Sequence, residues 1–252
     1  MTPSGRRLAL ALTLGLSLIA LMLGGCSMLK LPAPPDLLAE YRPDLRPDVE
    51  IEPALLSAMP RYSITVRIDP ATGLYTGTMD VVVPITGTVP RNDFYFRLYP
   101  NLPQFGGSLE VRNANVNGAL VNYSYEAAGT ALHVTWPKPL PAGEEARVWL
   151  SFNGKTQQRK PGVYTIFGAN EGVVSLTNFY PILAGRREDG WALDVASPLG
   201  DVGFHDAALY RIEATMPADQ IVATTGVTTA ESLLDGWATR TYVHGPAREF
   251  TL

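Results

Sequence analysis

From Arg61 onward, apolar side chains recur at every second position in short runs, and no stretch carries the period of a long amphipathic helix. Tyr62, Ile64, Val66 and Ile68 alternate with Ser63, Thr65 and Arg67; Leu132, Val134 and Trp136 with His133 and Thr135. Ala146, Val148, Leu150 and Phe152 alternate with Arg147, Trp149 and Ser151, and Tyr210, Ile212, Ala214 and Met216 with Arg211, Glu213 and Thr215. Successive side chains of a strand point to opposite faces, so each run offers one apolar and one polar side. A chain written this way buries its apolar sides by packing sheets.

Turn chemistry punctuates the runs. Asp69-Pro70-Ala71-Thr72-Gly73 separates the first strand from one over Thr76 to Val83, and Asn117-Gly118 and Asp235-Gly236 are tight hairpin signals. Further strands are expected at Phe94–Tyr99, Leu109–Val116, Leu120–Tyr125, twice between Gly162 and Leu176, and at Ile221–Thr225, Thr228–Leu234 and Trp237–Val243. The Pro137 to Glu145 loop joins two of the alternating runs. The reading is an all-β, multi-stranded antiparallel sandwich or saddle-like domain over residues 61–252. A hydrophobic content of 46% supplies a core, and 17% charged residues is too few for a disordered chain. The formal charge of −4, with no basic run beyond Arg186-Arg187, gives no electrostatic footprint for nucleic acid.

The N-terminus reads as a processed leader. Arg6-Arg7 form a positive start, Leu8 to Leu23 is mostly apolar but short for a membrane span of roughly 20 residues, and Leu23-Gly24-Gly25-Cys26 matches the lipobox of bacterial lipoproteins. Residues 1–25 are therefore expected to be a signal peptide and Cys26 a lipidation site, giving an exported protein held on a membrane and facing away from the cytoplasm. Ser27 is compatible with sorting to an outer membrane. Cys26 is the single cysteine, so neither a disulfide nor a cysteine zinc site exists within one chain. Between Ser27 and Pro60 stand seven prolines, and residues 26–60 read as an extended tether. Part of it, Tyr41 to Ser57, is expected on the domain surface, with a short helical turn at Ala54-Leu55-Leu56.

The most distinctive stretch runs from Asn178 to Gly226. It contains Tyr180-Pro181, Gly190-Trp191 and Gly200-Asp201, then the strand from Tyr210 to Pro217, then Ala223-Thr224-Thr225-Gly226. With Tyr62-Ser63-Ile64-Thr65-Val66 and Leu98-Tyr99-Pro100-Asn101 upstream, this order resembles the N-terminal β-domain of the aminopeptidase N family of zinc metallopeptidases, in its shorter bacterial form. The resemblance covers Arg61 to Leu252. It implies an all-β domain that walls one side of a substrate cleft, with zinc and peptide hydrolysis belonging to a catalytic domain that follows. That domain's His-Glu-x-x-His would place two imidazoles on one metal. This chain has only His133, His205 and His244, none so spaced, and lacks the family's Gly-x-Met-Glu-Asn segment. Its last residues, Ala247 to Leu252, resemble the family's strand at the entry to the catalytic domain.

The expectation is a chain that binds no cofactor and has no catalytic residue of its own, as a truncated piece of a longer peptidase or a β-domain retained without its enzyme. Its expected partners are the membrane, through Cys26, a metallopeptidase catalytic domain in cis or in trans, and peptide substrates. The alternative is a free-standing lipoprotein that binds a protein or a cell-envelope glycan through loops such as Asn178 to Gly203.

In longer members of the family a Gln or Glu near the corresponding region binds the substrate amine. Here Val174 to Pro181 holds neither, which leaves Ser175, Thr177, Asn178 and Tyr180 as residues of the cleft wall. The competing reading has Phe179 and Tyr180 packing the domain while Asn178 serves a turn. Asp194, Asp201, His205 and Asp206 could form an acid–base or metal cluster, though acidic loops and turns, such as one at Gly200-Asp201, explain them better. Trp136 falls on an apolar face and reads as core, whereas Trp149 falls on a polar face and could serve contact.

Overall fold

The computed structural model describes residues 36–163, 165–188, 190–194 and 203–252. The leader, Cys26, the first part of the tether and Gly200-Asp201 lie outside the described residues. Among the described residues no helix is long and apolar enough to cross a membrane.

Among the described residues, sixteen strands build the domain. The first pair, β1 (Arg61–Asp69) and β2 (Leu74–Pro84), is antiparallel and joined at Asp69 to Gly73, where the Asp69 carboxylate accepts the Ala71 N–H and the Thr72 hydroxyl. After β3 (Arg91–Arg97), β4 (Ser108–Val116) turns at Asn117-Gly118 into β5 (Ala119–Leu120). Both turn residues take positive φ, 51° and 87°, as the Asn-Gly signal requires. The short β6 (Asn122–Glu126) leads to β7 (Ala131–Leu140) and β8 (Glu145–Lys155). The expected loop between these last two is shorter than the prolines suggested, because β7 continues through Pro137 and Pro139.

A ribbon of β9 (Phe167–Asn170) and β10 (Val173–Leu176) follows, then three two-residue strands: β11 (Ile182–Leu183), β12 (Arg186–Arg187) and β13 (Gly190–Trp191). The chain closes with β14 (Ala208–Pro217), β15 (Val227–Leu234) and β16 (Trp237–Ala247), the last two joined at Asp235-Gly236.

Eight strands make the large sheet, in the order β15-β16-β14-β1-β2-β8-β4-β5, and four make the small antiparallel sheet, β11-β3-β7-β6. One pair departs from the expected antiparallel pattern: β1 and β14 run parallel, with Tyr62 opposite Tyr210 and Ile64 opposite Ile212. The alternation read from sequence is the burial seen. In β1, Tyr62, Ile64, Val66 and Ile68 are buried while the residues between them are not. Inward side chains of both sheets, such as Ile64, Met79 and Leu150 with Phe96 and Leu132, share one core. Apolar burial at about 25 cal/mol per Å² is the main force holding the sheets together.

Two expectations change. Ile221 to Thr225 forms no strand; Ile221 is fully exposed, and the segment bonds to the chain's last residues instead of to a sheet. The tether is shorter than residues 26–60, because Leu37–Leu252 is one compact unit. Leu38, Tyr41 and Leu56 are buried with Leu209 and Val243, which point away from the main core because they alternate with Tyr210 and Tyr242. Helix α1 (Pro53–Ser57) supplies Leu56. Glu40 pairs with Arg211 at 2.9 Å, and Asp44 accepts from His244 Nδ1 at 2.8 Å and from the Gly245 N–H at 3.0 Å. Burial pushes the Tyr41 phenol up to about 12, with the Glu40 carboxylate adding to it.

Candidate functional site

The segment expected to wall a cleft begins on β10 and leaves it at Thr177. Leu176 exchanges backbone hydrogen bonds with Leu252, at 2.8 and 3.3 Å, and Thr177 bridges Thr251. Thr251 is held from its other side as well: its carbonyl accepts the Thr224 hydroxyl at 2.8 Å and the Thr225 N–H at 3.3 Å. The final residues are thus clamped between the cleft-wall segment and the Thr224-Thr225 segment.

Asn178 follows in the left-handed region, at φ 54°, a conformation that Asn tolerates better than most residues. Its side chain is buried, and among the described residues its Oδ1 has no partner. The turn aims Phe179 and Tyr180 into the core, where both are inaccessible. Phe179 meets Tyr75 edge-on, at 5.8 Å between centroids, and Tyr180 meets Tyr62 and Tyr210 at 5.9 and 6.0 Å. Tyr62 and Tyr210 stack at 5.0 Å, a direct result of the parallel register that sets them side by side.

The three phenols reach backbone. Tyr62 accepts the Leu183 N–H, Tyr180 accepts the Phe250 N–H at 3.0 Å, and Tyr210 donates to the Arg248 carbonyl at 2.8 Å. Burial pushes all three well above the usual phenol pKa, so they act as neutral hydrogen-bonding groups and not as acids or bases. Of the four cleft-wall residues, Tyr180 and Asn178 are therefore interior, while Ser175 and Thr177 remain half-exposed beside Thr251. Ser175 also borders a shallow hollow of about 240 Å³ with Val163, Thr165 and Asn170.

The acidic set does not assemble. Asp194 pairs with Arg187, Asp206 is exposed, Asp201 lies outside the described residues, and His205 is buried with Nδ1 3.4 Å from the Tyr99 hydroxyl. Among the described residues no three His, Cys, Asp or Glu side chains gather as a metal site needs. Trp136 is buried as expected, and Trp149 is half-buried on the outer face of the large sheet, opposite Asp80 and Asn115.

Two positions escaped the sequence reading. Arg97 is buried, and its Nη1 donates to the carbonyls of Ala192 and Asp194 at 3.1 and 2.9 Å. Its place in the inward-outward alternation of β3 gives no warning of that burial, because an arginine ordinarily marks an outward position. Trp191 carries Arg186 over its ring at 4.8 Å and Arg91 at 6.0 Å. The sequence had set it with Trp136, Trp149 and Trp237 as tryptophans that could form a sugar-binding platform, and gave no sign of the two arginines beside it.

The architecture defines an all-β domain of two packed sheets with a parallel pair in the larger one. Among solved structures it is similar to the M1 zinc metallopeptidase from Deinococcus radiodurans, with a TM-score of 0.54 and 19% identity, over 77% of this chain and 42% of that one. A mutant of that enzyme bound to a Tyr-Ser-Ala substrate gives 0.52 and 20% over the same shares. A two-domain M1 zinc metallopeptidase mutant bound to L-arginine gives 0.50 and 20%, again over the same shares. At such identities the likeness is one of fold, and this chain spans about two fifths of the length of those enzymes. The sequence matches no family model and no curated protein.

Proposed function

We propose that this chain is the non-catalytic β-domain of an exported, lipid-anchored zinc metalloaminopeptidase, and that it walls the substrate cleft of a catalytic domain following it. The observation that carries the reading is the pairing of Leu176 and Thr177 with Leu252 and Thr251, on a fold shared with zinc metallopeptidases. A domain attached after Leu252 would begin beside Ser175 and Thr177, whose half-exposed hydroxyls could hydrogen-bond an extended peptide. Tyr180 and Asn178 hold the strip in place from within. Zinc, the activated water and the groups that bind a free N-terminus belong to the catalytic domain. Anchoring is supported by Leu23-Gly24-Gly25-Cys26, whose cysteine would carry the acyl chains.

The test is the native product in a membrane fraction, detected with an antibody to residues 61–252, together with its C-terminal peptides and acyl labelling. A product heavier than 27.3 kDa that continues into a His-Glu-x-x-His segment, and that loses acyl label in Cys26→Ser, is the expected result. A product ending at Leu252 that co-purifies with no chelator-sensitive peptidase would overturn the reading.

A further inference from the structure

Trp191 sits edge-on to Phe94 at 6.2 Å and tilted against Tyr95 at 5.9 Å, which fixes the plane of its indole. Arg186 is its partner across the β12–β13 ribbon, and Arg91 approaches from the start of β3. All three border one cleft of about 110 Å³, walled on its apolar side by Val83, Ile85 and Leu183. Elsewhere the arginines Arg61, Arg112, Arg147, Arg187, Arg211 and Arg240 each meet a carboxylate. Among the described residues, no carboxylate lies within ion-pair distance of Arg91 or Arg186. Asp206 borders the same cleft and Asp93 lies close enough to favour the charge on Arg186, yet neither forms a pair with them. Burial, and then the neighbouring Arg91, push the Arg186 pKa below the ordinary guanidinium value. Two like charges are thus brought to one small cleft with a single bordering carboxylate, Asp206, and no ion pair among the described residues, an arrangement that an anion relieves.

We propose that the Arg91–Trp191–Arg186 cleft binds a small tetrahedral dianion, of the class of inorganic phosphate or a phosphomonoester. Two guanidinium forks match the oxygens and the double charge of such a group better than a single carboxylate does. The cleft volume admits one such group beside the indole. The site needs no catalytic domain and does not rest on the proposed peptidase role.

The experiment is a titration of the full chain, in detergent, with inorganic phosphate against potassium chloride of equal ionic strength. The readout is the indole N–H signals in a ¹H–¹⁵N spectrum, with that of Trp191 assigned by Trp191→Phe. A saturable shift of the Trp191 signal is expected with phosphate and not with chloride. The affinity should fall about tenfold in Arg186→Gln and similarly in Arg91→Gln, since each removes a charge-assisted contact. Arg186 lies on an exposed ribbon, so its variant keeps the fold even if the Arg91 variant does not, and the other indole signals report that. No saturable shift, a shift of equal size in chloride, or a shift unchanged in Arg186→Gln would each overturn the proposal.

Discussion

The Tyr180 hydroxyl oxygen accepts the backbone N–H of Phe250 at 3.0 Å, deep inside a cluster of three tyrosines. Tyr180→Phe keeps the ring and leaves that N–H buried without a partner, which costs about 1–3 kcal/mol. Urea denaturation should show the midpoint falling with an unchanged slope. An unchanged midpoint would mean that the phenol contributes packing alone.

Gly154, next to the end of β8, lies opposite Tyr75 of β2, and a Cβ there would stand 1.9 Å from the Tyr75 ring. Tyr75 is itself walled in by Phe152, Phe167 and Phe179 and cannot step aside. Gly154→Ala is expected to destabilise by about 1–3 kcal/mol through overpacking. Thermal unfolding of Gly154→Ala in the parent and in a Tyr75→Leu background, where the clashing ring is gone, measures the crowding as the difference between the two losses.

His205 carries a pH dependence whose sign follows from its burial. Burial, reinforced by the Arg248 and Arg97 charges, holds its pKa below the ordinary 6.5. The unfolded chain takes up a proton near 6.5 while the folded ring resists it. This contribution to stability is whole above 6.5, falls as the pH drops below it, and levels off once the folded ring protonates. His205→Gln should lose less stability than the parent between about pH 7.5 and 5.5. Melting curves at both ends of that window measure the difference, and parallel losses in the two proteins would refute the assignment.

Asp44 ties residues 37–59 to the sheet through His244 and the Gly245 N–H. Asp44→Ala removes both bonds and leaves the arm on its Glu40–Arg211 pair and its apolar contacts with Leu209 and Val243. Cleavage by a glutamate-specific protease after the exposed Glu50 should quicken several-fold while the residue 61–252 core stays intact, a loss of about 1–2 kcal/mol in local opening. A cleavage rate equal to that of the parent would show that the remaining contacts suffice.

The strand faces were legible because burial on one side of a strand forces alternation, as Tyr62 to Ile68 and Tyr210 to Met216 illustrate. The hairpins at Asn117-Gly118 and Asp235-Gly236 were legible because both turns need positive φ. Ile221 to Thr225 misled for a physical reason: β-branched residues suit any extended backbone, and here the extended segment spends its hydrogen bonds on Thr251. Which strands become neighbours is a long-range outcome, so the parallel pairing of β1 with β14 left no local mark. Of the cleft-wall residues, their adjacency was readable but not their exposure. The tyrosine that looks most like a contact residue, Tyr180, is the one turned inward by Asn178.

The parallel pair also decides when this domain can be completed. The edge of β1 is covered only by β14, near the opposite end of the chain, while β2 and β8 assemble on its other side much earlier. Until β14 arrives, a long strand with unpaired amides and carbonyls waits open, ready to pair with another chain. A version of the chain cut before Ala208 is therefore expected to aggregate through β1.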